Sequence, residues 1–224
     1  MITPPKKTSS VAQKGAMILV YAPAGAGKTR LISTLPHPLV VSAENGLLSL
    51  SDMDIDYVEG KSFQDIYDAT VYAMQNGYKS IAIDSFSEIC EQELKRISDA
   101  NPNPSDVWKN YGDLAKDAKD ILLFLRDQTE GLVVYLIAKS DREKDGDGRL
   151  VYAPSLPGKA TAANLPYILD EILALVVDEK DGQIQRALLT TSNGKYIAKD
   201  RSGRLDTWEQ PDLGAIINKI GGTK

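Results

Sequence analysis

The 224-residue chain has a single cysteine, a single histidine and no excess of positive charge. With only Cys90, an internal disulfide and a cysteine-rich metal site are both excluded, and a reducing compartment such as the cytosol fits. The simplest role for Cys90 is that of a small core residue. His37 stands between Pro36 and Pro38 with no ligand cluster around it and reads as part of a turn. Lysine and arginine total 26 against 31 aspartates and glutamates, a formal net charge of −5. A chain so balanced does not draw nucleic acid by bulk electrostatics, so any such site must be local. No apolar run approaches the roughly 20 residues of a membrane helix. The stretch from Ala16 to Ala22 follows a lysine-containing segment, as a secretion signal would, but Pro23, the glycines and Lys28 cut it short. It reads as a buried strand. No membrane association is expected, and the cytoplasm is the expected location.

What is present suffices for one core. The hydrophobic content is 42% and the mean hydropathy −0.24, both ordinary for a globular domain. Residues 1–14, with paired prolines and lysines and no apolar period, read as a flexible arm, leaving 15–224 as a single domain. Apolar runs of strand length at Met17–Tyr21, Leu39–Ala43, Ile55–Val58, Ser80–Ile83 and Leu132–Ala138 alternate with helix-period segments at Ser62–Gln75, Phe86–Ile97 and Leu114–Leu125. Continuous Val/Ile/Leu runs are the pattern of parallel strands covered on both faces. The expected class is α/β, a mostly parallel central sheet with helices on both faces. Residues 139–166 hold Asp-Gly-Asp-Gly, prolines and many charges, and read as a mobile functional loop. Beyond it Ile172–Val177, Gln185–Thr191 and Lys195–Ala198 look like strands joined by turns at Asp181-Gly182 and Asn193-Gly194, predicting an antiparallel C-terminal edge.

Met17–Tyr21 runs directly into Ala22, Pro23, Ala24, Gly25, Ala26, Gly27, Lys28, Thr29 and Arg30. A buried strand entering a glycine-bearing loop that ends in Gly-Lys-Thr and opens a helix is the context a phosphate-binding loop requires. Successive backbone N–H groups can wrap a phosphate, Gly25 and Gly27 let the backbone approach, Lys28 neutralises phosphate oxygens, and Thr29 offers a hydroxyl to Mg²⁺. Ala22 takes the place of the usual first glycine, a substitution several such loops accept. Ser80–Asp84 ends a strand in an acid placed to hold the water shell of Mg²⁺. ATP and Mg²⁺ are the expected cofactors.

Three further segments carry a resemblance. Val40–Gly46 resembles the end of the second core strand of RecA-type proteins, where a glutamate, here Glu44, polarises the attacking water. Ile81–Phe86 resembles their metal-binding strand, including the serine after the aspartate. Tyr196–Gly203 resembles a Lys-x-Arg strand whose cations, here Lys199 and Arg201, reach across a subunit interface to a neighbour's ATP. Together with Trp108–Gly112, Leu156–Lys159 and Glu209–Leu213, the chain from Gly15 onward looks like the phage AAA-type nucleotide-binding proteins that include RecA-like single-strand annealing proteins. That resemblance implies a RecA-like P-loop ATPase acting on single-stranded DNA in phage recombination or replication. It also implies a homo-oligomer with ATP at its subunit interfaces. In that family the strand corresponding to Leu132–Ala138 often ends in histidine; here Lys139 and Ser140 follow.

Bland readings stand beside these. Glu44 could be a solvated helix-start carboxylate, and Lys199 with Arg201 a solvated strand edge. Trp108 and Tyr111 could stack on bases, although core packing is the more usual role. Lys139, Arg142, Lys144, Arg149 and Lys159 could meet phosphates, but Asp141, Glu143, Asp145 and Asp147 interrupt them. A non-hydrolysing nucleotide-binding scaffold and a P-loop small-molecule kinase are the alternative functions.

Overall fold

The computed structural model describes residues 15–44, 46–180 and 182–221. The arm expected over residues 1–14 lies outside them. The elements in chain order are β1 (Met17–Tyr21), β2 (Pro38–Ser42), β3 (Asp56–Glu59), α1 (Phe63–Gln75), β4 (Ser80–Asp84), α2 (Phe86–Ala100), α3 (Val107–Asp127), β5 (Val133–Lys144), β6 (Leu150–Ser155), α4 (Lys159–Ile168), β7 (Glu171–Lys180), β8 (Gln183–Leu189), β9 (Lys199–Asp200), β10 (Trp208–Glu209) and α5 (Leu213–Gly221).

The sheet runs β10-β8-β7-β1-β5-β4-β2-β3, with β6 on β5 and β9 on β7. From β7 to β3 every neighbouring pair along this path is parallel, and β7–β8 and β8–β10 are antiparallel, as the sequence patterns predict. Alternate residues of β1 feed two cores. Met17, Leu19 and Tyr21 pack beneath α1 to α4, whereas Ile18 and Val20 pack with Leu31, Ile32 and α5 on the other face. α1 starts on a reciprocal cap, with Ser62 and Asp65 each accepting from the other's backbone N–H. Cys90 is fully buried among apolar side chains. His37 takes a turn conformation at φ 37° and stacks on Tyr78 at 4.7 Å.

Three local expectations are corrected. Residues 139–166 are not a loop. β5 continues past Ala138 to Lys144 and pairs antiparallel with β6, and α4 follows. The hairpin tolerates so many charges because the outer half of β5, residues 141–144, is exposed, while Val151 and Ala153 of β6 are buried. The Asp-Gly-Asp-Gly run makes only the tip, where Asp145 accepts from the N–H groups of Asp147 and Arg149. Residues 195–198 form a single bridge, Tyr152 to Tyr196, rather than a strand. The Asn193 side chain takes up the N–H groups of Lys195 and Tyr196 in a local turn. Finally, the helix after Lys28 is a short 3₁₀ run, Thr29–Thr34. Pro36 drives Leu35 into extended backbone and stops it.

Candidate active site

The strand order brings the carboxyl ends of β1, β5, β4 and β2 side by side, with Tyr21 opposite Ala138 and Ser42 opposite Asp84. In open α/β sheets that end is where ligands bind. Residues 22–29 curl there as a loop whose two turns rest on left-handed glycines, Gly25 at φ 76° and Gly27 at φ 109°. The Lys28 ammonium folds back over the loop and donates to the Ala22 and Pro23 carbonyls at 2.7 and 3.0 Å. From below, the Tyr135 hydroxyl donates to the Lys28 carbonyl at 2.9 Å. The loop is therefore braced from the sheet before any ligand arrives.

Facing Lys28 are the two acids. Thr29 Oγ1 donates to Asp84 Oδ2 at 2.8 Å, placing a hydroxyl and a carboxylate together at the loop's end. The Ala43 N–H donates to the Asp84 carbonyl at 2.7 Å, which ties the end of β2 to that of β4 and carries Glu44 to the rim. Ser85 Oγ then donates to Glu44 Oε1 at 2.6 Å. The whole forms a cleft of about 570 Å³, lined by Lys28, Thr29, Glu44, Asp84, Ser85 and Ser140 among others, a volume suited to a nucleotide. Burial pushes the Lys28 ammonium below its ordinary value, with Asp84 and Glu44 pulling it back. Burial likewise raises the Asp84 carboxyl; the Thr29 hydrogen bond opposes this, and the Glu44 charge adds to it. Both shifts describe a site short of its counter-charges, which phosphate oxygens and a divalent cation would supply.

Comparison with known proteins bears on the fold and the family. A family profile described as an AAA domain, AAA_24, matches residues 14–202. The chain belongs to the AAA_24 family. No curated protein matches the sequence at a significant level. Among solved structures, the KaiC-like protein PH0186 of the hyperthermophilic archaeon Pyrococcus horikoshii OT3 superposes with a TM-score of 0.50, at 14% identity, over 79% of this chain and 78% of that one. At that identity the likeness speaks for the fold, which is the RecA-like P-loop NTPase fold. No helix among the described residues is long and apolar enough to cross a membrane.

Not every predicted site residue of this AAA_24 domain reaches the cleft. Arg30 lines its rim and pairs with Asp52 at 2.7 Å. Lys199 and Arg201 sit at the opposite, amino-terminal end of the sheet. Lys199 donates to the Pro166 and Leu169 carbonyls, and Arg201 to Asp170 and to the Tyr167 carbonyl, so both close the end of α4 within their own chain. Trp108, for which core packing was the usual expectation, is instead 87% exposed on the first turn of α3. Three residues that no motif marks do belong to the site. Ser140 presents a solvent-shielded hydroxyl without a hydrogen-bond partner among the described residues. Lys139, which with Ser140 follows the strand that often ends in histidine in the resembled family, lines the cleft and is held by Glu88 and Glu91 at 2.9 and 2.8 Å. Arg186 of β8 donates through Nε to the Ala26 carbonyl at 2.9 Å. The place of Lys139 and Ser140 at the end of a core strand is a signal in the sequence; for Arg186 only the tertiary pairing reveals it.

Proposed function

We propose that this AAA_24 domain is a Mg²⁺-dependent ATPase. The carrying observation is the convergence of the Lys28 loop, the Thr29–Asp84 pair and the Ser85-bound Glu44 on one cleft. The donor set fits Mg²⁺ brought in with a nucleotide. No group of three or more His, Cys, Asp or Glu side chains among the described residues is arranged to hold a metal alone. Mg²⁺ is usually bound by one or two protein oxygens together with phosphates and water. Thr29 and Asp84 would hold it, and it would neutralise charge on the transferring phosphoryl group. Lys28 and the loop N–H groups of residues 25–29 bind and orient the phosphates. Glu44, oriented by Ser85, takes the proton from the water that attacks the γ-phosphorus. ADP and inorganic phosphate leave.

The same reading assigns the work of hydrolysis to single-stranded DNA, in recombination or replication of a bacteriophage in its host's cytoplasm. It also takes the active form to be a homo-oligomer with ATP between subunits. In such an assembly Lys199 and Arg201 would have to leave the carbonyls of α4 to serve a neighbour's phosphates. Support for the DNA partner comes from the hairpin. Register puts Arg142 and Lys144 on one face of β5 and Asp141 and Glu143 on the other, so a charge-balanced segment has a basic side. Arg142 lies 4.8 Å over the Tyr152 ring, and Tyr152 stacks on Tyr196 at 5.0 Å. Nearby, the exposed Trp108 borders a cleft of about 770 Å³ with Tyr111, Arg142 and Lys159. Cations interleaved with aromatic faces are what a flexible single strand needs. The test is phosphate release from Mg·ATP with and without single-stranded DNA. Stimulation by DNA, lost in the Arg142→Ala, Lys144→Ala double variant, is expected. Saturable ATP binding with no release under any condition would replace this reading with that of a nucleotide-binding scaffold.

A further inference from the structure

We infer that Arg186, on the β7–β8 hairpin, is a positioning residue for the phosphate-binding loop. The inference rests on the nucleotide-site reading and goes beyond the motif residues. Register places Leu175, Val177, Arg186 and Leu188 on one face of the hairpin. Leu175 and Leu188 are buried in the core beneath the loop. The outer half of β7 extends beyond Ala174, where the pairing with β1 stops, so the hairpin overhangs residues 22–29. From that position the Arg186 Nε donates to the Ala26 carbonyl, 160 residues away in sequence, at 2.9 Å. Asp178 and Glu179 lie on the strand opposite, yet the guanidinium turns to the loop instead of to those acids.

The consequence follows from peptide geometry. In a trans peptide the C=O and the next N–H point in opposite directions. Holding the Ala26 carbonyl outward therefore turns the Gly27 N–H inward, and Gly27 lines the cleft where phosphate is expected. Gly27 is fitted to this arrangement in a second way. A side chain there would be strained by φ 109° and would stand in contact with Arg186, 3.4 Å from Nε and 3.8 Å from Cδ, so the arginine packs directly over this residue of the loop. The guanidinium also brings a permanent positive charge to the outer wall of a loop that must accept a polyanion. Arg186 thus presets the donor geometry from outside the cleft, while Tyr135 braces the Lys28 carbonyl from the sheet side.

The experiment measures ATP affinity by isothermal titration, and KM and kcat by phosphate release, for the full chain and for Arg186→Ala, Arg186→Lys and Lys28→Ala. For Arg186→Ala the expected result is a rise of about tenfold in Kd and KM, the worth of one hydrogen bond from a charged donor at the low end of its range, with the larger part of the loss in KM. Arg186→Lys, which keeps a charged donor, recovers part of the affinity. Arg186 is exposed, so the alanine variant should melt as the parent does; if it does not, the lysine variant carries the comparison. Parental affinity in a folded Arg186→Ala overturns the inference while leaving the nucleotide site standing, provided that Lys28→Ala loses ATP. If the parent itself binds no ATP, the nucleotide reading falls and this inference with it.

Discussion

Replacing Glu44 by glutamine isolates the chemical step from binding. Glu44 is exposed at the end of β2 and is held by a single side-chain contact, Ser85 Oγ to Oε1 at 2.6 Å. A glutamine keeps an oxygen at that position, so the contact and the side chain's placement survive. As a surface change away from any core it should shift stability by no more than about 0.5 kcal/mol. In the proposed mechanism phosphate is bound by Lys28 and the loop amides on the far wall of the cleft, so ATP affinity should also survive. What disappears is a base able to take a proton from water. General-base catalysis is typically worth about 10²–10⁴ in rate, or roughly 3–5 kcal/mol in barrier height. We therefore expect Glu44→Gln to bind ATP as the parent does and to hydrolyse it at least about a hundredfold more slowly. Single-turnover release of labelled phosphate, with binding measured in parallel, separates the two. Hydrolysis at the parental rate would remove Glu44 from the mechanism and return it to the role of a solvated carboxylate.

Two predictions concern stability. Glu171 is fully buried at the start of β7, and burial together with the neighbouring Asp200 raises its pKa from 4.5 to about 8. The folded state thus holds a proton that the unfolded chain releases, so this residue's contribution is full below pH 4.5, is lost as pH rises towards 8, and changes no further above it. Glu171→Gln should abolish that dependence, and the melting-temperature difference between variant and parent should grow in the variant's favour with pH; a difference that stays constant refutes it. Gly60 closes the turn after β3, where an added methyl group would stand 2.4 Å from Cγ1 of the fully buried Val41. Gly60→Ala should cost about 1–3 kcal/mol in denaturant unfolding, and an unaltered midpoint would show that the strand end yields freely.

How much of this was legible beforehand depended on whether a residue's partner lay nearby in sequence. The loop from Ala22 to Thr29 could be read because its strand, glycines and lysine are contiguous. Asp84 could be read because a strand of continuous apolar residues ends on it. That β1, β2, β4 and β5 run parallel follows from the same apolar runs, buried on both faces, whereas their order does not. The hairpin over residues 139–155 is not legible in the sequence because its charges have loop composition, and its pairing exists only once β6 is laid beside β5. Trp108 was misread because composition cannot tell on which side of a helix an aromatic ring will lie. Ser85 meets Glu44 only because β4 and β2 are neighbours, and Arg186 meets Ala26 only because β8 folds back along β7. The 3₁₀ run after Thr29 is shorter than a helix because Pro36 intervenes.

The central claim is that the cleft beneath Lys28 binds and hydrolyses Mg·ATP, and ATP turnover by the parent and by Lys28→Ala, each with Mg²⁺ and with excess chelator, tests it most directly. Lys28 lies on the loop and its ammonium donates to the Ala22 and Pro23 carbonyls, whereas its own carbonyl, bound by Tyr135, survives the substitution, so the variant should fold. The account predicts phosphate release by the parent that stops when Mg²⁺ is chelated, and neither binding nor release by a folded Lys28→Ala. Equal turnover by the two proteins, or turnover by the parent that persists without a divalent cation, would contradict it.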